Sequence, residues 1–302
     1  MFVPKTQSNA VAAALIISAA VFIAATALMA KMLGTDGYGA PLHALQISHG
    51  RFLFAFAGLL VAALVLRPRL SAPHWKLHVA RTSFGWAGVT LMFASVAYIP
   101  LADATVISFL NPVFAMMLAI PLLRETVGRM RWSAAVLALV GAFILLRPTP
   151  DSFQPAALLA LGAAVIMGME LIFIKKLAGR ENPFQILFVN NLIGLCIATC
   201  AVIAVWQMPT AAQWGLLAGI GLCMAVAQAC FVNAMARADA SFVAPFSYAT
   251  LIFAAAYDAL FFGAMPDAVT YLGAAVILTG ALWLALREAH LKKPQHPTAT
   301  TP

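Results

Sequence analysis

Ten apolar stretches of sixteen to twenty-four residues, separated by short polar connections, take up nearly the whole of this chain. They are Asn9–Met32, Ala44–Leu66, Leu77–Ala97, Ala102–Leu122, Arg131–Leu146, Gln154–Ile174, Pro183–Trp206, Gln213–Met235, Ser241–Phe262 and Val269–Leu286. About 20 apolar residues in a helix match the hydrocarbon thickness of a bilayer. A helix also satisfies its own backbone hydrogen bonds, which a lipid environment requires. The chain is therefore expected to be an all-α integral membrane protein of ten transmembrane helices. Connections such as "TDGYGAPLH" and "RPTPDSFQ" carry the glycines and prolines of turns.

Composition agrees. The chain is 63% hydrophobic and 9% charged, with a mean hydropathy of +0.94, whereas soluble domains are about 25% charged. The net charge of +8 does not point to nucleic acid, because its basic residues sit in connections between apolar runs rather than on one solvated face. With an inner N-terminus, fifteen Lys and Arg residues fall on the inner side and only Lys31 and Arg147 on the outer; Arg51 lies within a span. That asymmetry predicts a multi-pass protein with both termini cytoplasmic. The apolar run after Lys5 is too long for a signal-peptide core of about 7–15 residues, so it reads as a retained first span. Cys196, Cys200, Cys223 and Cys230 lie in apolar runs without a His or carboxylate at ligand spacing, and read as packing residues.

The chain repeats itself. "ALMAKMLG" resembles "IFIKKLAG" and aligns Lys31 with Lys176; "LQISHGRFLFAFAGLL" resembles "FQILFVNNLIGLCIAT" and aligns Gln46 with Gln185. "PLADATVISF" resembles "ARADASFVAP", and "RWSAAVLALVGAFILL" resembles "TYLGAAVILTGALWLA". The offsets are 145, 139, 136 and 139, in one order along the chain. A repeat of five spans reverses orientation between halves, giving two inverted five-helix repeats: residues 1–150 and 151–288, followed by a disordered cytoplasmic tail, 289–302. Inverted repeats with a site near the membrane midplane are typical of secondary transporters.

The segment Ala94–Pro148 adds a resemblance. Its "AYIPLADA" run, Pro112 within the span, Glu125 after it, then Trp132 and Gly141, resemble the fourth and fifth spans of the EamA-type drug/metabolite transporters. Ala238–Ile277, with Pro245, Tyr248, Pro266 and Asp267, resembles the subgroup of S-adenosylmethionine uptake transporters and riboflavin importers. "GMELIFIKKL" resembles the sixth span of the S-adenosylmethionine carriers, with Glu170 at their acidic position. Ala264 and Met265 depart from the pattern, standing where the family often has Glu. The resemblance implies a bacterial inner-membrane carrier.

Charged groups inside spans cost about 2.5–3.5 kcal/mol each on insertion scales, which makes them functional candidates. Arg51, in the outer part of span 2, suits a substrate carboxylate, a gating ion pair, or a structural pair with Asp258 at similar depth. Glu170 suits the cationic part of a zwitterion or a coupling proton; the alternative partners, Lys175 and Lys176, lie off the favoured helical spacing. Asn111 and Pro112 mark a helix break in span 4. Asn190 aligns with Arg51 in the second half. Trp86, Phe93, Tyr98, Phe231, Tyr248 and Phe253 offer faces for a flat ring, with Tyr248 and Trp86 foremost. Arg81, near the inner end of span 3, reads as a snorkelling cation.

Together these residues predict a transporter moving a small metabolite, S-adenosylmethionine or an amino-acid-like zwitterion, by alternating access. The alternative is riboflavin or another flat-ring cargo. No catalytic or metal-site pattern speaks for an enzyme, and no filter loop for a channel. No cofactor is expected. The expected partners are the small-molecule substrate and the lipid bilayer, without nucleic acid; a homodimer stays open.

Overall fold

The computed structural model describes residues 9–68, 70–108, 110–123, 129–146, 154–178, 180–235 and 249–291. These form eleven α-helices: α1 (Asn9–Leu33), α2 (Ala44–Leu66), α3 (Trp75–Val96), α4 (Leu101–Ser108), α5 (Asn111–Leu123), α6 (Arg129–Leu146), α7 (Ala157–Ala178), α8 (Pro183–Val202), α9 (Ala211–Met235), α10 (Ala249–Phe262) and α11 (Ala268–Leu291). No strand occurs among the described residues; a lone bridge joins Gly37 and Gly39. Tyr248, Pro245 and the tail beyond Leu291 lie outside the described residues.

Among the described residues, six helical stretches are long and apolar enough to cross a membrane: Ala10–Leu33, Ala44–Leu66, Asp103–Leu122, Ala157–Ile174, Phe184–Val205 and Ala211–Phe231. Helix α3 is not among them, because Arg81 and the Gly, Ser and Thr residues along it lower its hydropathy. The Asp103–Leu122 stretch is not one helix. It is divided into α4 and α5, and α5 begins at Asn111 with Pro112 in second position. A proline has no N–H to donate and is tolerated in the first turn of a helix, so the break falls where the sequence marks it.

Polar residues start the helices. His43 accepts the Leu45 amide ahead of α2 and Asn182 accepts the Phe184 amide ahead of α8, where Pro183 is the first residue. Thr210 and Gln213 bond each other's amides at the start of α9, and Asp267 accepts the Thr270 amide at the start of α11. Each bond satisfies an amide the first helical turn leaves free.

Helix α1 packs along α9 and against α10, α3 packs along α7 and α8, and α2 lies on α8 and α9. Helices α4 and α5 rest on α7, and α6 pairs with α11. The core at these contacts is rich in alanine, with Ala24, Ala30, Ala104, Ala160 and Ala164 all buried. Small residues let helix backbones approach closely, which is how helices associate in lipid. Phe52 of α2 packs into the space left by Gly194 of α8, where a Cβ would fall 2.2 Å from the ring.

Candidate functional site

Three charged side chains gather inside the bundle. Arg51 comes from α2, Arg81 from α3 and Glu170 from α7. Arg51 and Arg81 are each only 4% exposed. The Arg81 Nε lies 3.6 Å from Glu170 Oε1, and its Nη1 donates to the Ile186 carbonyl of α8 at 3.2 Å. The charges acting on Arg51 are Glu170 and Arg81. The Arg51 guanidinium sits 4.4 Å from the centre of the Phe52 ring, and its buried Nε and Nη1 have no hydrogen-bond partner.

Gly85, one turn after Arg81, makes room for the carboxylate. A Cβ there would fall 2.8 Å from Glu170 Cδ and Oε1. On the same helix, Thr82 donates to Asn190 Oδ1 of α8 at 3.1 Å, and the buried Trp86 Nε1 has no partner. Thus Arg51, Glu170, Asn190 and Trp86 come from helices that pack on one another around the charged cluster. Asn111 opens α5, and its carbonyl abuts Gly168, two residues before Glu170.

Two expectations about charged residues are overturned. Asp258 does not pair with Arg51. It is buried on α10, bonded to the Lys31 ammonium and accepting the Leu101 amide of α4 at 2.8 Å. Lys31 also lies 4.4 Å from the Phe262 ring centre. The reason is lateral: α1 and α4 both pack against α10, which brings Lys31 and the free amide at the start of α4 to Asp258. Arg81 does not snorkel to the surface either. It points into the bundle because Glu170 and the Ile186 carbonyl compensate its charge there. Glu170 is therefore paired with Arg81, and the Lys175 side chain lies outside the described residues.

The remaining candidates divide. Phe93 is part of the core, while Tyr98 and Phe231 are exposed on the outside of the bundle. Cys196 and Cys200 are exposed rather than packed inside.

A second polar cluster escaped sequence reasoning. Glu181, in the α7–α8 connection, accepts from the His74 amide at 2.7 Å and meets the His74 ring at 2.8 Å and the His78 ring at 2.8 Å. Gln185 Nε2 donates to the same carboxylate at 2.7 Å. Burial alone would push this carboxyl up, but the hydrogen bonds from the His74 amide, His78, the His74 ring and Gln185 outweigh it. They pull the group down to about 2. The four-residue spacing of His74 and His78, which puts both on one helix face, was the available signal.

Gln185 Oε1 also accepts the Ser71 amide at 2.6 Å, tying α8 to the α2–α3 connection. Gln46 does the corresponding work elsewhere. Its Nε2 donates to the Gln207 carbonyl at 2.6 Å and its Oε1 accepts the Gln207 amide at 3.1 Å, tying α2 to the α8–α9 connection.

Comparison with known proteins gives the arrangement its context. The model of the EamA-like transporter family matches this chain twice, over residues 10–147 and 154–286. A riboflavin transporter of Vibrio cholerae serotype O1 is 32% identical over 221 residues, covering 72% of this chain and 74% of the relative. An S-adenosylmethionine uptake transporter of Rickettsia bellii is 28% identical, covering 86% of this chain and 88% of the relative. The pseudopaline exporter CntI of Pseudomonas aeruginosa is 26% identical, covering 78% and 84%. A solved crystal structure aligns with a TM-score of 0.59 at 18% identity, over 91% of this chain and 99% of that one, which speaks to fold alone. The family and these relatives' names indicate a multi-pass membrane transporter of a small molecule rather than an enzyme. With its apolar helices matched by the family model over nearly their full extent, the chain belongs to the EamA-like transporter family.

Proposed function

We propose that the chain is a ten-span secondary transporter whose two inverted halves, residues 1–150 and 151–288, rock about a central site and carry a small metabolite by alternating access. The observation that carries this reading is the buried cluster of Arg51, Arg81 and Glu170. Its members come from α2 and α3 on one side and α7 on the other, the junction where inverted-repeat transporters bind cargo. Charge in that position is costly to fold and is kept where it serves a pathway.

The helix contacts support the inverted arrangement. Under the repeat alignment α1 corresponds to α7 and α3 to α9. The α1–α9 contact then has its counterpart in α7–α3, while α2–α8 and α6–α11 are contacts between equivalents. Gln46 and Gln185, aligned by the repeat, each clamp the connection that follows the other's helix. That is the exchange of partners a twofold axis produces. Both termini would then face the cytoplasm, in a bacterial inner membrane.

The cargo in this reading is S-adenosylmethionine or an amino-acid-like zwitterion, with Arg51, Glu170, Asn190, Asn111, Pro112, Trp86 and Tyr248 contributing to binding or gating. Asp258 acts through its bond to Lys31 in holding α1, α4 and α10 together. Riboflavin is supported equally, by the Vibrio relative and by the unpartnered indole N–H of Trp86. Uptake of S-adenosylmethionine, amino acids and riboflavin into proteoliposomes, with and without a pH gradient, tests the reading. Saturable uptake of one of them, lowered by Glu170→Gln, is expected. The absence of saturable uptake for the whole panel, or single-channel currents, would sink it.

A further inference from the structure

The charges in the buried cluster do not balance. Among the described residues it holds two guanidinium groups and one carboxylate, and the carboxylate is already engaged. Glu170 stands 3.6 Å from Arg81 Nε, while Arg81 Nη1 reaches the Ile186 carbonyl. Asp258, the other buried carboxylate at these depths, is taken by Lys31 and the Leu101 amide. Arg51 is left 4% exposed with Nε and Nη1 both buried and without an acceptor. Its guanidinium lies over the face of Phe52, which leaves the N–H edge uncommitted. Glu170 is thus shared between two buried cations, an excess of one positive charge that is costly unless something else supplies the counter-charge.

Building on the transporter reading, we propose that Arg51 is the docking point for an anionic group of the cargo, a carboxylate or a phosphate. Such a group supplies the missing charge and accepts from the planar donor edge of the guanidinium, the geometry that suits arginine to both anions. The other buried side-chain atoms of α3 near the cluster without a hydrogen bond are also donors: Trp86 Nε1, and Arg81 Nε, which faces Glu170 at ion-pair distance. The unpartnered acceptors on neighbouring helices, Asn191 Oδ1 and Gln228 Oε1, belong to neutral amides and offset no charge. Glu170, compensated by Arg81, is not a free seat for a cation. Of the cargoes proposed above, S-adenosylmethionine, with an ammonium and a sulfonium to one carboxylate, is therefore disfavoured against a zwitterion that presents its carboxylate to Arg51, and a molecule with an acid group to spare removes the excess charge. Arg51 thus discriminates by charge, and the flat or aliphatic remainder of the molecule is recognised elsewhere.

Two ligand pairs that differ only in the acid test this on the full chain in lipid nanodiscs, with binding read by calorimetry. S-adenosylhomocysteine against its methyl ester removes a carboxylate; flavin mononucleotide against riboflavin removes a phosphate. In at least one pair the acid form is expected to bind at least about tenfold tighter, the scale of a charge-assisted hydrogen bond. The pair in which the gap opens identifies the anion. Arg51→Gln is expected to close the gap and Arg51→Lys to retain part of it. Equal binding within both pairs, no binding by either acid, or a gap that survives Arg51→Gln overturns the proposal. The wild-type comparison decides even if a variant fails to fold. Saturable uptake that ignores the acid group would overturn the role of Arg51 and leave the transporter reading standing.

Discussion

The carboxylate of Asp258 on α10 joins the Lys31 ammonium in the last turn of α1 to the backbone amide of Leu101, the first residue of α4. Three helices thus meet on one buried side chain, 1% exposed. An acceptor at the start of a helix is favourable, and a cation at the end of another is too. Asp258→Asn keeps an oxygen for the Leu101 amide but leaves Lys31 without a counter-charge. Breaking one side of a buried pair costs about 3–5 kcal/mol. Asp258→Asn is expected to lower the thermal midpoint in detergent clearly, and the double variant Lys31→Met/Asp258→Asn to recover most of the loss. A double variant no better than the single one would show that the pair is not the stabilising contact.

Gly85 is expected to matter for transport through the carboxylate it makes room for. Alanine favours a helix interior over glycine by about 0.8–1 kcal/mol. At Gly85, however, the added methyl would meet Glu170 at 2.8 Å and displace its carboxylate from Arg81. Gly215→Ala on α9 is the control, since nothing lies within 4 Å of its added Cβ. Gly85→Ala should reduce uptake at least about tenfold, whereas Gly215→Ala should leave uptake unchanged. Equal uptake in the two variants would exclude the Arg81–Glu170 pair from the transport cycle.

Much of the helical order could be read directly, because a span is a local property of some twenty residues. The Asn111–Pro112 break was legible for the same reason: a missing amide acts on its own helix. Pairings between distant helices were not. Depth along the membrane allowed Asp258 to meet Arg51, and equally Lys31; only the packing of α1 on α10 chooses between them. Arg81 was misread because closeness to a helix end suggests an escape to water. Its inward turn depends on Glu170 across the α3–α7 contact and on the space above Gly85, which is a tertiary fact.

Glu181 should make the protein acid-sensitive. Its carboxyl titrates near 2 in the folded protein, below the ordinary carboxylate value of about 4.3, so its stabilising contribution is complete above that value. The contribution fades as pH falls from there toward 2. Glu181→Gln replaces the acceptor of His74, His78 and Gln185 with a weaker neutral one and removes the titration. Melting temperatures between pH 7 and pH 3 are expected to separate wild type from Glu181→Gln most at pH 6–7 and to draw closer toward the acid end. A gap that stays constant across this range would show that the carboxylate is not the source of the stability.

Gln46 and Gln185 hold opposite ends of the bundle, so removing one should bias which end opens. Gln46 bonds both backbone groups of Gln207, whereas Gln185 bonds Ser71 and is backed by Glu181. The first clamp is made of neutral hydrogen bonds, each worth about 0.5–1.5 kcal/mol net; the second includes a carboxylate and two imidazoles. A cysteine at Thr90, whose hydroxyl bonds Ser48 of α2 at 2.8 Å, reports from between the two ends. In a cysteine-free background, Gln46→Ala is expected to speed labelling of that cysteine by a charged reagent added on the side of the α1–α2 connection. Gln185→Ala should speed it from the opposite side and more steeply, since its loss also loosens Glu181. Labelling that rises from both sides in either variant would mean that the clamps stabilise the fold as a whole and do not gate its two ends separately.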